Sequence, residues 1–380
     1  MDWEPTAHGL SSKLAKVESA SLFVAGFVCK ARSRLNASSS QNVGCVQAAS
    51  ASTGKSFKSV ADYITKHRPL AFTLENLVTL NQVTDLGVSD TDWIIDYFAA
   101  HGYSVRAFSI EACEHGSSCR RERNYWVGYR DGLLRDDDPR LNRIQSIVDM
   151  CRVEPVFPIE GYLTSMDSHQ CQQLTPEEEH AEREYLYKEE HLVFYDRIGV
   201  EWPPGPNLFQ YLKHLSTRAY EVVVYCNAAF PYQSCGKHGA ALPKQFMDAN
   251  MTLKFLVGDG KGNPWSEQFP TMTGSGIYIM REAIPKPGAE GFCILGERQF
   301  DVELRQIDGI EMMQLAGFHL PYMRPPLPSH RTAASMAGNA FSAFAVGVVL
   351  LGLFSGLSLK SVEDAECADS DGLSQSGGES

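Results

Sequence analysis

The chain has 380 residues, 43% hydrophobic and 21% charged, with a formal charge of −12. These are globular proportions that exclude wholesale disorder and fibrous architectures, and the negative balance argues against simple coating of nucleic acid, though not against a basic cleft on an acidic body. Ten cysteines without a CxxC pair, and an opening MDWEPTAHGL without an apolar leader, argue against a zinc ribbon or a secreted disulfide framework and for a reducing intracellular compartment.

Residues 1–20 are a short polar leader. Leu22 to Val28 is an uncharged apolar run that reads as a buried strand. The Ser/Ala/Gln-rich stretch Asn36 to Thr53 reads as a mobile loop. Phe57, Val60, Ala61 and Ile64 fall at i, i+3, i+4 and i+7, one apolar helix face, and Arg68-Pro69 ends that helix. Leu70 to Leu74 is the next strand. Asp90 is a candidate N-cap for a helix Thr91–His101, and Gly102 suits its left-handed exit. Tyr103–Ser109 and Asn124–Tyr129 follow as strands. This alternation is the pattern of a parallel sheet flanked by helices.

Beyond about residue 150 the alternation dissolves. Residues 175–192 read as a charged helix with a solvated face. Val222–Cys226, Thr252–Val257 and Gly276–Met280 read as strands of an irregular second domain. Gly309–Ala316 and the run from Ala340 read as helices. The stretch Ala340 to Leu359 is long and apolar enough for a membrane span, but the resemblance described below favours a buried helix. Six acids and no Lys or Arg follow Lys360, so the tail 361–380 reads as acidic and disordered.

Two glycine-bearing segments invite a nucleotide reading. Gly54-Lys55-Ser56 could end a phosphate loop, but the first glycine of that motif would fall at Ala49. Phe255 to Gly262 is followed by Asn263-Pro264-Trp265 and opens no helix, so a surface hairpin is the simpler reading.

Three other pieces converge. Cys29 closes the first strand, Glu75-Asn76 closes the second, and Arg121 and Arg123 precede Asn124–Gly128. In a parallel sheet, ligands gather at the carboxyl ends of strands. A thiol and a carboxyl group there suit thiolate attack on a ring that the carboxyl group protonates. Arginines would favour the thiolate and bind a carbonyl or phosphate. Taken one at a time, a buried cysteine and an ordinary strand end explain the same residues.

From about residue 21 to 345 the pieces resemble the DNA (cytosine-5) methyltransferases. Val28-Cys29 stands for that family's Pro-Cys, Glu75-Asn76-Leu77 for Glu-Asn-Val, and Cys119-Arg120-Arg121-Glu122-Arg123 for Gln-x-Arg-x-Arg. Arg305 to Glu311 with Leu315 to Phe318 resembles R-x-L-T-P-R-E…L-x-G-F, and Ala337-Gly338-Asn339-Ala340 the last motif, in which Gly-Asn opens a helix beside the methyl donor. Departures are Val28 for proline, Cys119 for glutamine and Asp308-Gly309 for Thr-Pro. The residues before Ser21 hold no Phe-x-Gly-x-Gly turn, which in the family begins the donor-binding strands. Without those strands, Leu22–Val28 would be an uncovered apolar edge.

The resemblance implies an α/β, incomplete doubly wound (Rossmann-like) S-adenosylmethionine-dependent methyltransferase domain with a target-recognition insertion. Its divisions would be 21–150 catalytic, 151–300 target-recognition-like and 301–360 a return to the catalytic domain. It implies that a flipped cytosine is attacked at carbon 6 by Cys29, while Glu75 holds ring nitrogen 3 and the exocyclic amine. Arg123 would hold the ring carbonyl and Arg121 would support it. S-adenosylmethionine, near Gly338 and Asn339, would methylate carbon 5. DNA is the implied partner, in the nucleus, and the motifs do not separate DNA from RNA; no metal is implied. The alternative is a non-catalytic relative that binds nucleic acid or supports a partner methyltransferase chain covering the exposed edge.

Overall fold

The computed structural model describes residues 3–5, 14–16, 19–33, 36, 38–85, 87–131, 139–154, 159–163, 215–232, 244–250, 263–285, 300–318 and 328–356. Its strands are β1 (Trp3–Pro5), β2 (Leu14–Lys16), β3 (Leu22–Gly26), β4 (Ala71–Leu77), β5 (Tyr103–Glu111), β6 (Glu122–Arg130), β7 (Gln245–Asp248), β8 (Tyr278–Pro285) and β9 (Phe300–Gln306). Its α-helices are α1 (Ala51–His67), α2 (Asp90–Ala99), α3 (Pro139–Met150), α4 (Thr217–Ala229), α5 (Gly309–Leu315), α6 (His330–Asn339) and α7 (Ala343–Gly356). They fall into two compact units, one of residues 1–115, 122–153 and 345–380, the other of 116–121 and 154–344.

In the first unit, Phe57, Ala61 and Ile64 of α1 are buried as their spacing requires. The helix stops at Arg68, whose backbone is left-handed and whose N–H returns to the Ile64 carbonyl. Helix α2 is capped one residue before the expected Asp90: the Ser89 side chain accepts the Asp92 N–H. Asp90 is instead buried and accepts the Gln47 N–H at 3.3 Å. Gly102 has φ 78° and makes the predicted exit.

These strands form one sheet in the order β3-β4-β6-β5. β3 and β4 run parallel, whereas β6 is antiparallel to both β4 and β5. The sheet is therefore mixed, not purely parallel as the alternation suggests. The cause is the link Ala112–Arg121, shorter than the dozen or more residues a parallel crossover needs. Side chains alternate across the sheet. Phe72, Leu74 and Trp126 pack with α1 and α2 residues, while Ala71, Tyr125, Val127 and Tyr129 pack with Ile144 and Val148 of α3 and Ala345, Val349 and Leu353 of α7. Helices on both faces make this a doubly wound α/β layer structure. Among the described residues β3 pairs with β4 alone, and Val24 on it is 38% exposed.

Ahead of this sheet, β1 and β2 pair antiparallel, a hairpin within the stretch read as a leader. The Asn36–Thr53 segment, read as a mobile loop, holds a 3-10 turn at Ser39–Asn42 and is knitted to its surroundings. The guanidinium of Arg32, 1% exposed, donates to the Ser39 carbonyl, to Thr79 O at 2.7 Å and to Gln82 Oε1 at 2.8 Å.

The stretch His330–Ser355 is long and apolar enough to cross a membrane by length and composition. It consists of α6 and α7, separated at Ala340–Ser342, and the α7 stripe Ala345, Val349, Leu353 is wholly buried in the first unit. The hydroxyl of Tyr129 donates to the Leu353 carbonyl at 2.9 Å.

In the second unit, β7, β8 and β9 form an antiparallel sheet. Val222–Cys226, read as a strand, lies inside α4, which Ser216 caps by accepting the Ala219 N–H. A short apolar run buried on all sides has no period to separate helix from strand. The predicted strand Gly276–Met280 is realised as β8, starting at Tyr278, and the predicted helix Gly309–Ala316 as α5. Thr252–Val257, Phe255–Gly262, the charged stretch 175–192 and the tail 361–380 lie outside the described residues.

By compactness, residues 154–344 fall in this second unit and the first resumes at Ala345. The reason is local: β9 pairs with β8, and Gly309 of α5 sits so close to α6 that an added Cβ would meet His330 O at 2.1 Å. Residues 116–121 also belong here, since Cys119 bridges Phe269 and the Arg120 N–H donates to Phe269 O at 3.1 Å.

Candidate active site

The parallel register sets Gly26 beside Glu75, so the chain leaving β3 towards Cys29 does so next to the end of β4. The Asn76 side chain, 1% exposed, fastens the two by donating to Phe27 O at 2.8 Å. The antiparallel partner β6 starts at this same sheet edge, with Leu77 opposite Arg123 and Glu75 opposite Tyr125. Glu75 and Arg123 are therefore diagonal neighbours on one face, within reach for long side chains. Arg123 Nε lies 3.1 Å from Glu75 Oε1, with side chains 10% and 11% exposed. Cys29 is half-buried. The structure thus brings the carboxylate and guanidinium into contact beside the strand end that leads to the thiol.

Behind Arg123 lies a polar network. Asn124 donates to Asn81 Oδ1 at 2.5 Å and to Thr91 Oγ1 at 3.1 Å, and accepts from Ser109 at 2.7 Å. It ties the start of β6 to β5, to α2 and to the 3-10 turn after β4. Two buried groups nearby are kept uncharged or less acidic: burial, then Asp90, pushes the Cys45 thiol up to about 11, and burial raises the Asp90 carboxyl. Cys45 is buried, which suits a packing role.

The other sequence-predicted residues lie in the second unit. Arg121 Nη1 donates to Met272 O at 3.3 Å and to Gly338 O at 3.4 Å. Gly338 and Asn339 end α6; the next helix opens at Ala343. Gly-Asn therefore closes a helix here, where the resemblance has it open one. An added Cβ on Gly338 would meet Thr273 C at 2.1 Å and Gly274 N at 2.2 Å. The Asn339 amide donates to Ser335 O at 2.8 Å within its own helix. Gly338 is thus packed against the Thr273–Gly274 backbone, while Asn339, bonded within its own helix, is exposed. Among the described residues no group of three or more His, Cys, Asp or Glu could hold a metal ion.

Sequence reasoning passed over Asn76, Asn81, Asn124 and Arg32 as working residues. Asn76 carried a signal, since it adjoins Glu75 in the quoted motif; the others reach partners as far as 33 to 50 residues away, which no local pattern displays.

The first unit is thus an α/β layer structure with helices on both faces, in which a glutamate and an arginine meet beside the strand end that leads to a cysteine. The sequence profile described as C-5 cytosine-specific DNA methylase matches residues 10–344, and the chain belongs to that family. No match is found among curated proteins. Similar solved structures include the methyltransferase EhMeth of Entamoeba histolytica, at 12% identity over 89% of this chain and 78% of that one, TM-score 0.41. The Dnmt2 methyltransferase of S. pombe is 12% identical over 88% of this chain and 76% of that one, TM-score 0.41. A DNMT2 mutant of Spodoptera frugiperda is 12% identical over 88% and 79%, TM-score 0.42.

Proposed function

We propose that this chain activates cytosine in DNA for substitution at carbon 5, with Cys29 as nucleophile. The observation that carries the reading is the Glu75–Arg123 contact at 3.1 Å beside the strand end that leads to Cys29. The Cys29 thiolate adds to carbon 6 of a flipped base. Glu75 gives a proton to ring nitrogen 3, and Arg123 holds the ring carbonyl oxygen. Carbon 5 then takes an electrophile, loses its hydrogen, and the carbon–sulfur bond breaks to free Cys29. Methylation by S-adenosylmethionine is the outcome that family membership implies, and a nuclear location accords with a DNA substrate.

The activation step can be read without any methyl donor. A proton from water at carbon 5 followed by elimination exchanges the carbon-5 hydrogen, so DNA tritiated there should release tritium to solvent. Release that disappears in Cys29→Ser is the expected result. A folded wild-type protein that releases none would sink the reading.

A second reading is favoured by β3, unpaired on its outer side among the described residues, with Val24 38% exposed. There the chain supports a partner methyltransferase whose strand adds to that edge in parallel. Amide exchange of residues 22–26 that slows when such a partner is added would support it; unchanged exchange would not.

A further inference from the structure

The sequence Thr53-Gly54-Lys55-Ser56, which looks like the end of a phosphate loop, is used otherwise by this fold. Thr53 and Ser56 stand three residues apart in α1, hence on one side of the helix. The Val28 N–H donates to Ser56 Oγ at 3.0 Å, and the Ala31 N–H donates to Thr53 Oγ1 at 3.3 Å. The hydroxyl proton of Ser56 is directed to Thr53 O at 3.0 Å, which leaves an oxygen lone pair for Val28. Gly54 lets the neighbouring loop approach, since an added Cβ would meet Cys45 O at 2.1 Å.

Cys29 lies between the two amides so held. Its own carbonyl accepts the Arg32 N–H at 3.0 Å, and Arg32 O accepts from Thr79 Oγ1 at 2.8 Å. The Val28 side chain is 42% exposed, so packing makes little demand on that position. What the position supplies is an N–H.

We infer that Ser56 and Thr53 are positioning residues for Cys29, and that the Val28 N–H···Ser56 bond is the restraint fixing the backbone immediately before the nucleophile. In the family motif that residue is proline, which fixes its own φ and has no N–H to give. In this chain the restraint comes from a hydrogen bond to a helix. The inference rests on the reading of Cys29 as the nucleophile.

The test compares Ser56→Ala, Ser56→Thr, Val28→Ala, Val28→Pro and the double variant V28P/S56A in the full chain. Iodoacetamide alkylation of Cys29 is followed by peptide mass spectrometry, with half-buried Cys113 and Cys151 as internal standards. Ser56→Ala should raise the Cys29 rate about threefold or more as the turn loosens, with the two standards unmoved. Ser56→Thr and Val28→Ala, which keep the acceptor and the donor, should match wild type. In the Val28→Pro background, Ser56→Ala should change nothing. An unchanged Cys29 rate in Ser56→Ala, or an equal rise with Val28→Pro already present, overturns the inference. Should Val28→Pro fail to fold, the contrast of Ser56→Ala with Ser56→Thr and Val28→Ala still decides. Tritium release, expected to drop about tenfold in Ser56→Ala, separates the two claims. No release from wild type counts against the nucleophile reading, while alkylation continues to judge the clamp.

Discussion

Among the described residues each unit holds a buried arginine–glutamate pair, and on the proposed function the two serve different ends. Arg305 and Glu311 meet twice, at 2.8 Å each, with side chains 1% and 2% exposed. Glu311 also accepts the Asp308 N–H at 2.8 Å, completing a capping box that starts α5. Such a pair is bidentate and shut off from solvent, which makes it a strut. Arg123 and Glu75 meet at 3.1 Å with side chains 10% and 11% exposed, beside the strand end that leads to Cys29. Geometry of that kind can be re-formed around an incoming base. Both pairs sit in stretches that resemble family motifs, so a motif match alone does not tell a strut from a tool.

The comparison breaks first if the strut can be removed cheaply. Glu311→Ala leaves a buried guanidinium without its partner and should cost about 3–5 kcal/mol in thermal or urea denaturation. Replacing both members by apolar residues of similar volume should cost far less. The tool behaves differently: Glu75→Gln should leave the melting temperature near wild type and lower tritium release about a hundredfold, roughly 2.7 kcal/mol of barrier. A loss of stability as large as that of Glu311→Ala would erase the distinction. Gly338→Ala should destabilise by about 1–3 kcal/mol through overpacking against Thr273. If it instead weakened S-adenosylmethionine binding in calorimetry at unchanged stability, Gly338 would be a ligand-binding residue and not a packing one. The smallest effect concerns Asp90, whose carboxyl is raised above its ordinary 3.8 chiefly by burial. The native state then holds its proton more tightly than the unfolded chain. Asp90 contributes most below 3.8, and that contribution is lost as pH rises through the raised value. Asp90→Asn should flatten the melting-temperature profile in that window.

What could be read in advance follows the range of the interactions. The face Phe57, Ala61 and Ile64 is periodic, so α1 was legible, as were the glycine exit after α2 and the strand bearing Glu75; the first strand was read too long, since β3 stops at Gly26 and Cys29 lies in the turn beyond it. The antiparallel insertion of β6 between β4 and β5 was not, because strand order is decided by partners and not by the strand's own residues. Val222–Cys226 was misread because burial on all sides removes the contrast that marks a helix. The clamp on Cys29 was hidden for another reason: Val28 and Ser56 are 28 residues apart. The Ser56 hydroxyl looks like phosphate chemistry until the fold shows what it holds.

The last helix carries a consequence for synthesis. Tyr129 and Leu353, joined by a hydrogen bond, are 224 residues apart in sequence. At about 5–20 residues per second, roughly 10–45 s separate the emergence of β6 from that of the α7 stripe that covers its apolar face. Ile144 and Val148 of α3 arrive early and shield part of it. For the remaining interval Phe108, Tyr125 and Val127 depend on what the cell places over them. The α7 stripe thus finishes the cover of the first unit's sheet, and a ribosome that stalls before residue 345 would release a sheet with one side only partly clad.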